Sequence, residues 1–199
     1  MNLQSSAHGA KEIRFNKDIE LRQNDLGQSI AAGYAVVYNS LSEDLGGFRE
    51  RIQPGALTAA LANSDVRCLR DHNPSLVLGR NTAGTLRLQD TPQGLYFECN
   101  LPPTTTGNDT RVSLERGDLT GCSFAFYVAK DEYVKEASGT VRVITEISQL
   151  DDVSIVTYPA YPATSVDLRS FDEYKAKETL AKLEQLKRKL KLYELSAGA

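Results

Sequence analysis

Apolar and polar side chains alternate over most of residues 12–158, in runs too short for helices. Because side chains two positions apart share one face of a strand, such alternation predicts β-strands. Turn-forming Gly, Pro, Asn and Asp separate the runs, a rhythm that predicts an antiparallel barrel or sandwich. The predicted strands cover residues 12–15, 30–38, 48–52, 66–70, 76–80, 84–88, 94–101, 121–134, 141–150 and 153–158.

Helical periodicity is concentrated at the C-terminal end. Residues 171–195 place apolar side chains on one stripe between lysines and glutamates, which predicts an amphipathic helix. The stripe consists of Ala176, Leu180, Leu183, Leu186, Leu190 and Tyr193. A stripe of this kind needs a partner surface, so the helix either docks on its own domain or meets another chain. Shorter helices are expected at 56–63 and 109–116.

These patterns predict a mainly β protein with peripheral helices, of the α+β class. Residues 1–11 are polar and are expected to be disordered. Residues 12–170 form the predicted β domain, and residues 171–199 form a helical tail. With 199 residues, one sizeable domain plus an appendage is the expected organisation.

A single hydroxyl stands out in the strand that begins at residue 121. Alternation places Cys122 and Phe124 on one face, while Ser123 lies on the other face between Gly121 and Ala125. Such small neighbours leave space for a substrate backbone beside the hydroxyl. Serines in strands are more commonly solvated or bonded to backbone, so this position alone leaves a structural role open.

A serine nucleophile needs a base within hydrogen-bonding distance. The chain has two histidines, and His8 lies in the polar N-terminal segment, which leaves His72 as the candidate base. His72 follows the strand at 66–70, just before Pro74. A histidine at a strand end also commonly caps a loop through its ring nitrogens, so a structural role for His72 remains open.

Four carboxylates compete for the place beside the imidazole. Asp71 is expected to point away from His72, because adjacent residues in a strand face opposite sides. Asp151 and Asp152 are predicted to form a turn, where aspartate is common for backbone reasons. Glu146 lies in mid-strand, where a carboxylate is unusual without a partner, although a solvated face would also explain it.

Composition narrows the function classes. The net charge is −3 and no basic stripe occurs, which argues against a nucleic-acid partner. No apolar run approaches the roughly 20 residues of a membrane helix, which argues against a membrane partner. Three cysteines without paired spacing argue against disulfides and zinc, and no metal or cofactor is expected. Cys122 is an alternative nucleophile, but its predicted burial would raise its pKa. The N-terminus lacks signal-peptide features, which indicates a cytosolic origin.

Several segments, taken in this order, resemble the prohead maturation proteases of tailed bacteriophages. They span residues 12–168 and are YAVVYN at 34–39, ERIQPGAL at 50–57, HNP at 72–74, LGR at 78–80, GTLRL at 84–88, RGDLTGCSF at 116–124 and VSIVTYPA at 153–160. That family resembles herpesvirus assemblin, a serine protease on a closed antiparallel β-barrel. The resemblance therefore implies a closed barrel of the assemblin type, followed here by the amphipathic helix.

The resemblance implies Ser123 as the nucleophile and His72 as the general base. Assemblin uses a second histidine as its third member, which this chain lacks; the phage branch commonly has an acidic residue on the strand after the serine strand. That position corresponds to Glu146, which we expect to orient His72.

The resemblance further implies a serine endopeptidase that cleaves scaffold and capsid-protein segments, and itself, during procapsid maturation. Its expected location is the assembling procapsid in the host cytoplasm, and its expected active form is a homodimer. An inactive assemblin-type barrel that serves as an assembly partner is the alternative. An esterase is a third possibility, although no Gly-x-Ser-x-Gly motif surrounds Ser123.

Overall fold

A computed structural model describes residues 3–5, 10–17, 19–158 and 165–197, with backbone only for 3–5, 165–170 and 194–197. In chain order, the elements are β1 (Leu3–Ser5), β2 (Lys11–Asn16), β3 (Glu20–Gln23), β4 (Ser29–Val37), β5 (Arg49–Ile52), α1 (Thr58–Asn63), β6 (Arg67–Arg70), β7 (Asn73–Arg80), a 3-10 turn (Asn81–Ala83), β8 (Leu86–Asp90), β9 (Gly94–Asn100), α2 (Thr105–Glu115), β10 (Gly121–Glu136), β11 (Gly139–Val156) and α3 (Ser165–Ala197).

The long hairpin of β10 and β11 is the centre of the fold. Its strands have 16 and 18 residues, and each half pairs with a different neighbour. β2 and β1 pair antiparallel with β10, so residues 3–5 form a strand in the segment expected to be disordered. β5 and β6 pair parallel with β11. Asp151 and Asp152 lie within β11, and the predicted turn at these residues is wrong.

The prediction of a closed barrel is also wrong. The described strands form a seven-stranded sheet around the hairpin and a separate four-stranded sheet of order β3-β4-β9-β8. Where β2 approaches β4, the Asn16 side chain donates to the Tyr34 carbonyl at 2.6 Å in place of a backbone ladder. β7 and β8 are joined across the 3-10 turn, where the Thr85 amide donates to the Arg80 carbonyl and no ladder follows. Because neither junction forms a ladder, the sheets remain open.

The core lies between the two sheets. The predicted apolar face of β10, from Cys122 to Val128, packs against β4 and β9. Within the four-stranded sheet, one glycine permits the close approach of β9 to β4: β4 has a register shift between Tyr34 and Val36, and a Cβ at Gly94 would lie 1.9 Å from the Val36 carbonyl oxygen. All three cysteines are buried free thiols.

Helix α3 begins at Ser165, before the predicted start at 171. Phe171 and Tyr174 anchor it in a small aromatic cluster, with ring centroids 4.7 Å from Phe48 and 4.8 Å from Tyr133, respectively. Beyond this anchor the leucines of the stripe are exposed. Within the described part of the chain, no helix is both long and apolar enough to cross a bilayer.

Candidate active site

The turn between β6 and β7 presents the histidine. Arg70 pairs with Asn73, which leaves Asp71 and His72 as a two-residue hairpin loop with φ of 52° and 55°. Two positive φ values are what a type I′ turn requires, and Asp and His adopt them more readily than most residues. The Asp71 carboxylate accepts from the Thr157 amide at 2.7 Å, so it fixes the turn to the end of β11.

The structure brings His72 and Ser123 together. His72 Nε2 lies 2.8 Å from Ser123 Oγ, and His72 Nδ1 lies 2.6 Å from Asp152 Oδ1. The register explains how two strands supply one face: Ser123 lies opposite Ser154, and Ala125 lies opposite Asp152. Since β6 runs beside this part of β11, its turn places the imidazole over that face. The arrangement is the serine, histidine and carboxylate geometry of acyl-transfer enzymes.

Hydrogen-bond chemistry assigns the protons at this site. Burial alone would raise the pKa of Asp152, but His72, Ser154 and Lys11 outweigh it and hold that pKa below its ordinary value. An ionised carboxylate only accepts, so in the neutral imidazole Nδ1 carries the hydrogen. Nε2 then has a lone pair facing Ser123 Oγ, as a general base requires.

Glu146, which we predicted to orient His72, is not at the site. Its carboxylate forms an ion pair with Lys130, and its side chain is 38% exposed. It lies six positions before Asp152 along β11, which corresponds to about 20 Å of extended strand. Four register shifts between Ala125 and Asp131 further change which residues of the hairpin oppose one another. The carboxylate beside the imidazole is Asp152, one of the alternatives considered for that role.

Two further residues contact this carboxylate, and neither was singled out from the sequence. The fully buried Ser154 hydroxyl donates to Asp152 Oδ1 at 2.6 Å. Lys11 Nζ lies 3.5 Å from Asp152 Oδ2 and 3.1 Å from Asp151. A continuous strand through 150–156 would have placed Ser154 on the face of Asp152 by alternation; no sequence signal indicates Lys11.

The space beside the serine is filled by the protein itself. A Cβ at position 121 would lie 2.3 Å from the Phe15 ring, so Gly121 accommodates Phe15 and not a substrate backbone as predicted. The Ser123 hydroxyl also lies 2.8 Å from the Arg14 carbonyl oxygen, and Ser123 is only 1% exposed. Its single hydrogen is therefore shared between that carbonyl and His72, and a substrate reaches Oγ only after a local displacement.

The alternative nucleophile, Cys122, faces the other way. Its side chain is fully buried in the core between the sheets, and its thiol lies 3.4 Å from the Tyr34 carbonyl oxygen. Its strand neighbours on that face, Phe124 and Phe126, stack with ring centroids 4.9 Å apart. The Cys122 thiol is therefore enclosed by core side chains and faces away from His72.

Comparison with known proteins gives a family. The sequence profile of the Caudovirus prohead serine proteases matches residues 17–177. The prohead protease of Enterobacteria phage HK97 is 32% identical over 153 residues, which cover 75% of this chain and 60% of that relative's length. The solved bacteriophage T4 capsid assembly protease aligns with 76% of this chain and 100% of its own, at 10% identity and a TM-score of 0.47. The chain belongs to the Caudovirus prohead serine protease family.

Proposed function

We propose that this chain is a serine endopeptidase of procapsid maturation that cleaves scaffold and capsid-protein segments, and itself. The observation that carries the proposal is the chain of contacts from Ser123 Oγ to His72 and on to Asp152, at 2.8 and 2.6 Å. Membership of a prohead serine protease family supports it. In this proposal the protein works as a homodimer within the assembling procapsid, in the host cytoplasm.

The chemistry proceeds in two acyl-transfer steps. His72 Nε2 takes the Ser123 hydroxyl proton while Oγ attacks the scissile carbonyl, and the same proton then goes to the leaving amine. Asp152 holds the imidazole in the required tautomer and stabilises the imidazolium that forms. Water, activated by His72, next attacks the acyl-enzyme and releases the serine with its proton restored.

The test is co-expression of this chain with the capsid protein encoded by the same phage, with wild type compared with Ser123→Ala. We expect the wild type to give a capsid protein of defined lower mass, and the variant to leave it at full length, because alanine has no nucleophilic oxygen. Intact-mass spectrometry reads the cut site directly. Cys122→Ala is the matched control and is expected to cleave normally, since its thiol faces the core.

Other outcomes distinguish the alternatives. Truncation that persists in Ser123→Ala would remove Ser123 as the nucleophile. A full-length capsid protein in both samples, with self-cleavage also absent, would favour the inactive assembly partner. Hydrolysis of small esters without any peptide cleavage would favour the esterase.

Ser154 gives a smaller effect on the same reaction. Ser154→Ala removes the hydrogen bond that holds Asp152 Oδ1, and we expect kcat to fall about tenfold, the equivalent of one hydrogen bond of about 1.4 kcal/mol, with KM unchanged. Steady-state kinetics on a peptide spanning the mapped cut site measures both constants. A proportional rise in KM with normal kcat would show that Ser154 acts on substrate binding and not on Asp152.

A further inference from the structure

The distal part of helix α3 presents leucines to solvent. Phe171 is 3% exposed in the aromatic anchor, whereas Leu183, Leu186 and Leu190 are 47%, 63% and 60% exposed. Leu180, one turn nearer the anchor, is also exposed. Exposed large apolar side chains arranged contiguously on one element mark interaction sites in soluble proteins. The distal part of α3 thus carries an apolar face that the described residues of this chain do not cover.

The spacing of these leucines selects the kind of partner. Leu183, Leu186 and Leu190 follow one another at intervals of three and four residues, which is the spacing of core positions a, d and a in a heptad. Thr179 and Ala176 continue the same seam toward the anchor with small side chains. A seam of this period receives the side chains of a second amphipathic helix, whereas an extended strand would not match it.

Charge selects between a second copy and a different helix. In this register, three of the four flanking positions within residues 176–193 carry lysine, namely Lys182, Lys187 and Lys189, and the fourth carries Leu180. Lys182 already forms an ion pair with Glu178 at 2.7 Å on its own helix. In a parallel pair of two copies, Lys182 of one chain would face Lys187 of the other. In an antiparallel pair, lysines at these positions would again face lysines. Like charges at these positions disfavour pairing, so a second copy is a poor occupant.

We propose that residues 176–193 of α3 form a docking surface, here called the lysine-flanked seam, for an acidic amphipathic helix of another protein. The partner helix has aliphatic residues at its heptad core and Glu or Asp at the flanking positions. Its acidic side chains pair with the three lysines, while its aliphatic side chains cover the leucines. The seam lies on an element that contributes no residue to the Ser123 site, so this proposal is independent of the proposed protease activity.

The probes are two synthetic helical peptides of four heptads with identical Leu and Val cores. One carries Glu at every flanking position and the other carries Lys. With the purified full-length Ser123→Ala chain, fluorescence anisotropy is expected to show at least about tenfold tighter binding of the acidic peptide, weakening as salt is raised. Equal binding of both peptides, or none of the acidic one, would overturn the proposal.

Two sets of variants assign the binding to the seam. Leu183→Ser combined with Leu190→Ser removes core contacts from an exposed surface and is expected to abolish binding while circular dichroism stays unchanged. Lys187→Glu combined with Lys189→Glu is expected to reverse the preference, so that the basic peptide binds better. Unchanged preference in this charge-reversed pair would overturn the assignment of the lysines.

Sedimentation velocity without peptide tests the second copy as occupant. The wild type and the Leu183→Ser, Leu190→Ser variant are expected to have the same oligomeric state, since self-pairing of the seam is disfavoured. A wild-type dimer that the leucine substitutions dissociate would overturn the proposal, because the seam would then be covered by another copy of this chain.

Discussion

Replacement of Asp152 by Asn is expected to lower kcat for peptide cleavage about 10⁴-fold. Asn is nearly isosteric, so the buried site keeps its shape, but an amide has a donor where the carboxylate had an acceptor. His72 Nδ1 and Ser154 Oγ both contact Oδ1, whereas Lys11 Nζ lies 3.5 Å from Oδ2, so in the variant the amide oxygen is favoured beside Lys11 and the amide nitrogen at the Oδ1 position. That nitrogen donates to His72 Nδ1 and stabilises the tautomer with its hydrogen on Nε2, while the Ser154 hydroxyl turns to accept. That tautomer cannot accept the proton of Ser123.

The matched control is Glu146→Gln, the same chemical change at the carboxylate that the sequence favoured. Glu146 pairs with Lys130 at the surface, so kcat is expected to stay within about twofold of wild type, as for a surface ion pair. Single-turnover kinetics on the mapped substrate peptide measures both variants. A loss in Glu146→Gln as large as in Asp152→Asn would reject the assignment of Asp152, as would an Asp152→Asn enzyme with more than a tenth of wild-type activity.

The sequence was sufficient to single out Ser123 and His72, because each leaves a local trace. An isolated hydroxyl between small residues on an apolar strand, and a lone histidine at a strand end, are both readable from one segment. The contact joins residues 51 positions apart in the sequence, and the type I′ turn at Asp71 and His72 lacks the glycine that usually marks such a turn. Family resemblance supplied that connection.

The predicted turn at Asp152 is wrong because strands distant in the sequence pair with this segment. The pair Asp151-Asp152 has the composition of a turn, but β6 pairs in parallel on one side of these residues and β10 antiparallel on the other. Two ladders hold the backbone extended where propensity favours a turn, and tertiary pairing outweighs propensity in strands. Once β11 is continuous, alternation places Asp152 and Ser154 on the face of Ser123.

Barrel closure was beyond the reach of the sequence for a similar reason. Strand number and alternation are the same for an open pair of sheets and a closed barrel. The difference lies in whether two edge strands share a ladder. Here the Asn16 side chain on β2 donates to the Tyr34 carbonyl of β4. No pattern in the sequence indicates that a side chain and not a ladder joins these strands.

A buried ion cluster ties four strands of the large sheet together. Arg142 on β11 donates to Glu12 on β2 at 2.8 Å, to Glu50 on β5 at 2.9 Å and to Asp131 on β10 at 2.5 Å. Arg14, whose carbonyl contacts the Ser123 hydroxyl, donates to Glu12 and Glu50 as well. The cluster therefore fixes β2, and β2 in turn covers the nucleophile.

Arg142→Met is expected to lower the free energy of unfolding by about 3–5 kcal/mol, because it removes the buried cation that pairs with Asp131 and leaves Glu12 and Glu50 with Arg14 alone. Urea unfolding followed by circular dichroism measures the change. Arg51→Met is the matched control: Arg51 pairs with Glu136 across the surface, and its loss is expected to cost less than about 1 kcal/mol. Equal losses in the two variants would contradict the role of the buried cluster.

The pH dependence of this loss follows from Glu12. Burial raises its pKa from the ordinary 4.5 to about 7, against the opposing charge of Arg142. Between these values the folded protein holds a proton that the unfolded chain has released, so the contribution of Glu12 to stability falls as pH rises through that window. Without Arg142 the pKa of Glu12 rises further, and the pH window extends upward.

The destabilisation by Arg142→Met is therefore expected to be larger at pH 8 than at pH 5, whereas that of Arg51→Met is expected to be the same at both. An equal loss of stability at pH 5 and pH 8 in Arg142→Met would contradict this expectation. It would show that other positive groups compensate the charge of Glu12, so that its pKa does not rise when Arg142 is removed.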